Sequence, residues 1–214
     1  MFNIKRIMVN PLQENCYVVS DETKECVIID CGAYYDEEKE AIKHYISQNG
    51  LKPVHLLATH GHLDHNFGNA FLFREYGLKA EVCSEDQTLV EHLPEQASSL
   101  FGMDIDEDQP PIGRLLKDGD TITFGNHTLR VLQTPGHTHG SALFYCAEES
   151  AVFSGDTLFR MSIGRTDFAE GSWQEMETSL RQVVARLPQD TVVLTGHGPQ
   201  TTIADELKCN LYLR

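Results

Sequence analysis

No stretch of about eighteen apolar residues, the length needed to cross a bilayer, occurs anywhere in the chain. The opening residues, MFNIKRIMVNPLQENCYVV, hold no uninterrupted apolar segment of the signal-peptide kind. Together these absences set the expectation of a cytoplasmic protein. Positive charge is also scarce: 17 Lys and Arg stand against 32 Asp and Glu, a formal net charge of −15. So acidic a surface repels phosphate backbones and anionic headgroups, so neither nucleic acid nor membrane is an expected partner. A small molecule fits better, provided it finds a locally positive spot, which a bound metal ion supplies. Close cysteine pairs are missing too. Cys16, Cys26, Cys31, Cys83, Cys146 and Cys209 include no CxxC, which argues against a zinc ribbon. Most sit in apolar runs, and they read as buried thiols rather than disulfides.

What is present suits a globular fold. A length of 214 residues with 41% hydrophobic residues is enough for one domain, 1–214, with a sizeable core. Strands are expected over 4–9, 16–20 and 26–30, then a helix from Asp36, read as its N-cap, to Gly50. A buried strand follows over 54–58, a helix over 70–76 and a short strand over 80–83. Residues 85–118 read as short helical pieces and a solvated surface loop, its 104–111 stretch acidic and Pro-bearing. Strands return over 121–124, 127–132, 142–146 and 151–153. Ser172 and Glu175 form a capping box for a helix running towards Pro188. A strand over 191–194 and a helix over 202–212 complete the order. Mixed sheets with helices outside, in two halves, satisfy it: an α/β fold layered αββα.

Four segments share a pattern: a strand, then a turn carrying His or Asp. They are THGHLDH (residues 59–65), TPGHTHG (134–140), SGDT (154–157) and TGHG (195–198). His60 and His62, two apart, point the same way in an extended chain and can grip one ion. His137 can complete three nitrogen ligands. Asp64 and His65, past the turn, can serve a second ion with His197, and Asp156 can bridge the two. Imidazole and carboxylate suit Zn²⁺ above all, with Fe or Mn also accepted. Two divalent cations, two carboxylates and a bridging hydroxide leave about one positive charge, and metal binding can bring the pKa of water down to roughly 7. That is equipment for hydrolysis. His55 and His139 are not read as ligands. Asp30, at a strand end, is a candidate to orient one.

THGHLDH with His137, Asp156 and His197 in order resembles the metallo-β-lactamase superfamily. NPLQENCYVV, TPGHTHGS, GDTLFRMSIGRTD and GHGPQTTI are most similar to its glyoxalase II-like hydrolases. The resemblance implies the four-layer αββα sandwich, and it implies two ions. His60, His62 and His137 would bind the first and Asp64, His65 and His197 the second, with Asp156 bridging. It implies a metal-bound hydroxide attacking a thioester such as S-lactoylglutathione, with Asp64 as catalytic carboxylate. Arg165, in Ile-Gly-Arg, matches a basic residue that contacts the thiol-ester ligand. Two departures stand out. Seventeen residues follow His197, too few for the helical domain that grips glutathione, and Gly198-Pro199 stands where the family usually has Glu-Tyr. The same fold and much of the motif set also serve persulfide dioxygenases, which use one non-haem iron held by two His and one Asp. Flavo-diiron proteins fit less well, since they carry Glu where His62 stands and need a flavodoxin domain.

Overall fold

In the computed structural model, which describes residues 2–105 and 108–213, the first sheet follows chain order. Its strands are β1 (Asn3–Val9), β2 (Glu14–Ser20), β3 (Glu25–Ile29), β4 (Lys52–Leu57), β5 (Ala80–Cys83) and β6 (Arg114–Leu116). The first three pair antiparallel; β3, β4, β5 and β6 pair in parallel. Parallel neighbours need crossovers, and helices supply them. The crossover helices are α1 (Asp36–Gln48) and α2 (Asn69–Tyr76), then the short α3 (Gln87–Glu91) and α4 (Leu93–Gln96). The second sheet draws on β7 (Thr121–Phe124), β8 (His127–Gln133), β9 (Ala142–Cys146) and β10 (Ala151–Gly155). A two-stranded ribbon of β11 (Leu158–Phe159) and β12 (Ser162–Ile163) stands apart, and α5 (Trp173–Gln182) leads back to β13 (Val192–Thr195). Strand β14 (Thr201–Thr202) then runs into α6 (Ile203–Cys209), and the sheet order is β14-β13-β10-β9-β8-β7.

Period-two alternation decides the layers. Tyr17, Val19, Val27 and Ile29 face the second sheet, where Phe144, Phe153 and Leu194 meet them. The intervening Cys16, Val18, Cys26 and Ile28 face outward onto Ile42 and Ile46 of α1 and Phe71 and Leu72 of α2. The second sheet repeats the device: Leu143, Val152 and Val193 turn away from the centre onto Met176 and Leu180 of α5 and Ile203 of α6. Each such side chain, fully buried, contributes about 1.5–3 kcal/mol. The result is the expected αββα sandwich.

Some local expectations shift. Tyr35, not Asp36, caps α1, and the Glu38 carboxylate accepts from the N–H groups of Tyr34 and Tyr35 at 2.9 and 3.0 Å. The stretch read as short helical pieces and a surface loop over 85–118 does hold α3 and α4, but it also contains β6, whose three residues are too few to show a period. All six cysteines are free, five of them buried, but Cys209 is half-buried at the end of α6. Asp106 and Glu107, within the acidic 104–111 stretch, lie outside the described residues. Among the described residues no helix is long and apolar enough to cross a membrane.

Candidate metal centre

Strand direction gathers the four motifs. β3 and β4 run parallel, as do β10 and β13; β8 lies two antiparallel steps from β10 and so points the same way. Asp30 follows β3, residues 59–65 follow β4, and His137, Asp156 and His197 come after β8, β10 and β13. Loops at the carboxyl ends of such strands are the usual place for a site. Cross-links bind the two sheet edges there. The N–H of Ala142 donates to the Thr59 carbonyl at 2.9 Å, and that of Asn15 to the Gly196 carbonyl at 2.8 Å. Gly155 makes this approach sterically possible: its φ is +46°, and a Cβ there would sit 2.2 Å from Thr59 Oγ1.

One nitrogen of each of the five candidate histidines meets an acceptor on the outside of the cluster. His62 Nε2 lies 2.8 Å from Glu170 Oε1, and His137 Nδ1 lies 2.7 Å from the Arg165 carbonyl. His65 Nδ1 faces Asp30 Oδ2 at 3.1 Å, and His197 Nδ1 faces the Leu12 carbonyl at 3.1 Å. His60 Nδ1 is 3.1 Å from Thr59 Oγ1, whose own hydrogen goes to Asp30 Oδ2 at 2.7 Å. Acceptors on the outside fix the outer N–H groups and direct the other nitrogen of each ring inward. His62 Nδ1 and His137 Nε2 consequently face each other at 2.9 Å, an arrangement of two lone pairs that calls for a cation. His60 Nε2 is buried with no hydrogen-bond partner, and so is Asp156 Oδ1. Ligand atoms of His60, His62 and His137 lie within 4.8 Å of one another, and so do those of Asp64, His65 and His197. Asp156 forms a third such group with His60 and His65, which sets it between the other two. The donor set therefore fits one or two divalent cations.

The two halves differ electrically. Burial, with the neighbouring histidines, holds His60 well below the ordinary imidazole range. Burial likewise holds His137 down, despite Asp156. In the other half burial also acts to depress His65, but Asp156, Asp64 and Asp30 outweigh it and hold the ring well above its usual value. His197 is raised against its burial by its hydrogen bond to Asp64 and by Asp156. Burial works to raise Asp64 and Asp156, but His65 and His197, through charge and hydrogen bonds together, more than reverse it, so both carboxyls are lowered. Both imidazoles therefore hold a proton more readily than a free histidine does, and a divalent ion competes with those protons.

All seven proposed ligands therefore come together, and Asp30 touches both Thr59 and His65. Arg165 reaches the cavity above them but is engaged elsewhere: its Nε and Nη2 donate to Asp167 at 2.6 and 2.8 Å. His139 is exposed and pairs with Glu175 at 3.0 Å; His55 pairs with Glu81 far from the cluster. Several supporting residues escaped the sequence reading. Asp86 ties two ligand loops together, accepting from Gly61 N–H (2.7 Å), Thr138 Oγ1 (2.6 Å) and Gly140 N–H (2.7 Å). Asn66 Nδ2 donates to the carbonyls of His60 and His62 at 3.0 and 2.7 Å. Glu170 holds His62, and Glu14 is buried behind His65, where burial pushes its carboxyl well up. No local pattern marks Asp86 or Glu170; Asn66 adjoins THGHLDH, and Glu14 sits inside NPLQENCYVV.

A cavity of about 440 Å³ opens over the cluster, with His62, Asp64, His137, Asp156 and His197 in its floor and apolar side chains in its walls. A family model described as the metallo-beta-lactamase superfamily matches residues 9–197. The hydroxyacylglutathione hydrolase GloC of Haemophilus influenzae is 35% identical, over 99% of this chain and 98% of its own. The probable metallo-hydrolase YqgX of Bacillus subtilis is 31% identical over 98% and 96%. Among solved structures, TTHA1623 in a di-iron-bound form superposes with a TM-score of 0.84 at 35% identity, covering 98% of this chain and 100% of that one. With this fold, these motifs in this order and a converging His/Asp cluster suited to divalent metal, the chain belongs to the metallo-beta-lactamase superfamily of metal-binding hydrolases.

Proposed function

We propose that the protein is a dinuclear, metal-dependent hydrolase of a small acyl thioester, with S-lactoylglutathione the first substrate to try. The observation that carries this reading is the inward convergence of seven ligand side chains, His60 Nε2 unpartnered among them, at the floor of an open cavity. His60, His62 and His137 would hold one ion and Asp64, His65 and His197 the other, with Asp156 shared; zinc suits the donors best, with iron or manganese as alternatives. Bound divalent cations supply Lewis acidity, which acidifies water and stabilises an oxyanion. The chain's own groups do the rest. Glu170, Asp30 and the Arg165 and Leu12 carbonyls hold the imidazoles in the tautomers that face inward. Asp64, held ionised beside His65 and His197, would be the carboxylate that takes up a proton and returns it to the leaving sulfur. Leu63 and Phe168 in the cavity wall would give the acyl group an apolar surface to pack on. The reaction adds one water across the acyl C–S bond: a C–O bond forms, the C–S bond breaks, and a carboxylate, a thiol and one proton leave. The name of the Haemophilus relative supports the thioester class.

His60→Ala removes the buried nitrogen of the first group. Elemental analysis and a thiol-release assay should both register the change, with metal content reduced and turnover lost. Full turnover in a metal-free His60→Ala protein would refute the proposal. One iron per chain with oxygen uptake on a glutathione persulfide would instead establish the dioxygenase reading.

A further inference from the structure

The cavity above the cluster is markedly one-sided in its chemistry. Leu12, Leu100, Phe101, Phe159 and Phe168 line it, and Leu12 and Leu100 remain 47% and 54% exposed at its rim. Apart from histidine, Arg165 is the only cation lining it among the described residues. That guanidinium is already engaged on one side: it donates twice to Asp167 in an exposed ion pair, and its Cζ lies 4.3 Å from the centre of the Phe168 ring. Glu170, on His62, adds a further negative charge nearby. An arm carrying carboxylates, such as glutathione, would find here apolar walls, acidic neighbours and a guanidinium it must take from Asp167. An uncharged apolar arm would find contact surface throughout.

Resting on the thioester reading above, we propose that the substrate arm leaving the metal centre is uncharged and apolar. Asp167 enforces this as a positioning residue, by holding Arg165 in an internal ion pair on Phe168. Selectivity between substrates is a difference of two interaction energies, and this site contributes to both. The apolar walls favour one arm, and the occupied guanidinium withholds a counter-charge from the other.

The test compares two substrates with the same acyl group: the lactoyl thioester of benzyl mercaptan and S-lactoylglutathione, on metal-loaded protein. The benzyl thioester should show kcat/KM about tenfold higher or more, the scale expected for added apolar contact in a pocket. Asp167→Asn keeps the shape of the side chain and weakens its hold on Arg165. It should improve S-lactoylglutathione relative to the benzyl thioester by about threefold, through KM rather than kcat, as expected for an exposed ion pair. The double variant Arg165→Ala/Asp167→Asn should lose that gain, which a general loosening of the loop would not. Equal or better turnover of S-lactoylglutathione by the unaltered protein overturns the inference while leaving the thioester reading intact. An unchanged substrate ratio in Asp167→Asn overturns the role of Asp167. Cleavage of neither thioester overturns the thioester reading itself, and the inference with it.

Discussion

Asp86 offers the most direct measure of how the metal centre is held together. Its carboxylate lies buried between the loop of His60 and His62 and the loop of His137, far from solvent and touching neither ion-facing edge. Oδ2 accepts from Gly61 N–H at 2.7 Å and from Thr138 Oγ1 at 2.6 Å, while Oδ1 accepts from Gly140 N–H at 2.7 Å. Asp86→Asn leaves one oxygen for three donors. In its better orientation the amide oxygen keeps Gly61 and Thr138, and the NH₂ group is forced against Gly140 N–H. One charge-assisted bond is then lost and a buried donor stranded, a cost of about 1.5–3 kcal/mol. The two surviving bonds become neutral and lose about half their strength. A total near 3 kcal/mol is a large share of the 5–15 kcal/mol typical of a domain. Urea unfolding of the metal-free variant should show it as a lower midpoint at unchanged m-value. Because this carboxylate bonds both loops, affinity for the first metal should also fall, by about tenfold or more. A midpoint shift worth less than about 0.5 kcal/mol, with unaltered metal affinity, would show that the loops are held by something else.

Two further outcomes follow from the same geometry. His65 and His197, depressed by burial yet raised overall by Asp156, Asp64 and their bonds, stabilise the metal-free fold below their unfolded value of about 6.5 and lose that contribution as pH rises through their folded values. Asp64 and Asp156, lowered overall, act the opposite way and lose theirs only as pH falls below about 3.9. Calorimetry with chelator present should therefore show Tm falling above about pH 6.5, and metal affinity rising over the same range as protons give way to cations; a Tm that climbs steadily through neutrality contradicts this. Gly155→Ala should cost at least about 2 kcal/mol, since it combines a left-handed backbone with a Cβ 2.2 Å from Thr59 Oγ1. Gly50→Ala, at φ +62° with nothing within 4 Å of its Cβ, is the control and should cost only about 1 kcal/mol in the same urea assay.

Much of the candidate site is legible in the sequence. Thr121–Phe124, an alternating run, and Ala142–Cys146, an apolar one, stand where the sequence puts them, and the seven candidate ligands converge at the ends of their strands. Local chemistry is enough there, because a period of two and a glycine-flanked histidine carry their meaning within a few residues. Arg114–Leu116 was missed because three residues make no period, and its strand character comes from pairing with β5. Asp86 was missed for a similar reason. A lone aspartate after a short strand has no distinguishing neighbours, and its partners Gly61 and Gly140 lie 25 and 54 residues away.

Arg165 marks the division most sharply. Its residue type, in Ile-Gly-Arg, announces a cation near a substrate. Only folding decides whether that cation is free, because the nearby Asp167 and the ring of Phe168 can either leave it or take it. The candidate ligand set is written in the order and spacing of histidines and aspartates, since metal chemistry depends on donor type. The tautomer of each imidazole, the raised pKa of His65 and the apolar wall of the cavity are not. They depend on which carbonyl, carboxylate or leucine stands within a few ångströms, and that is settled by the meeting of two sheets.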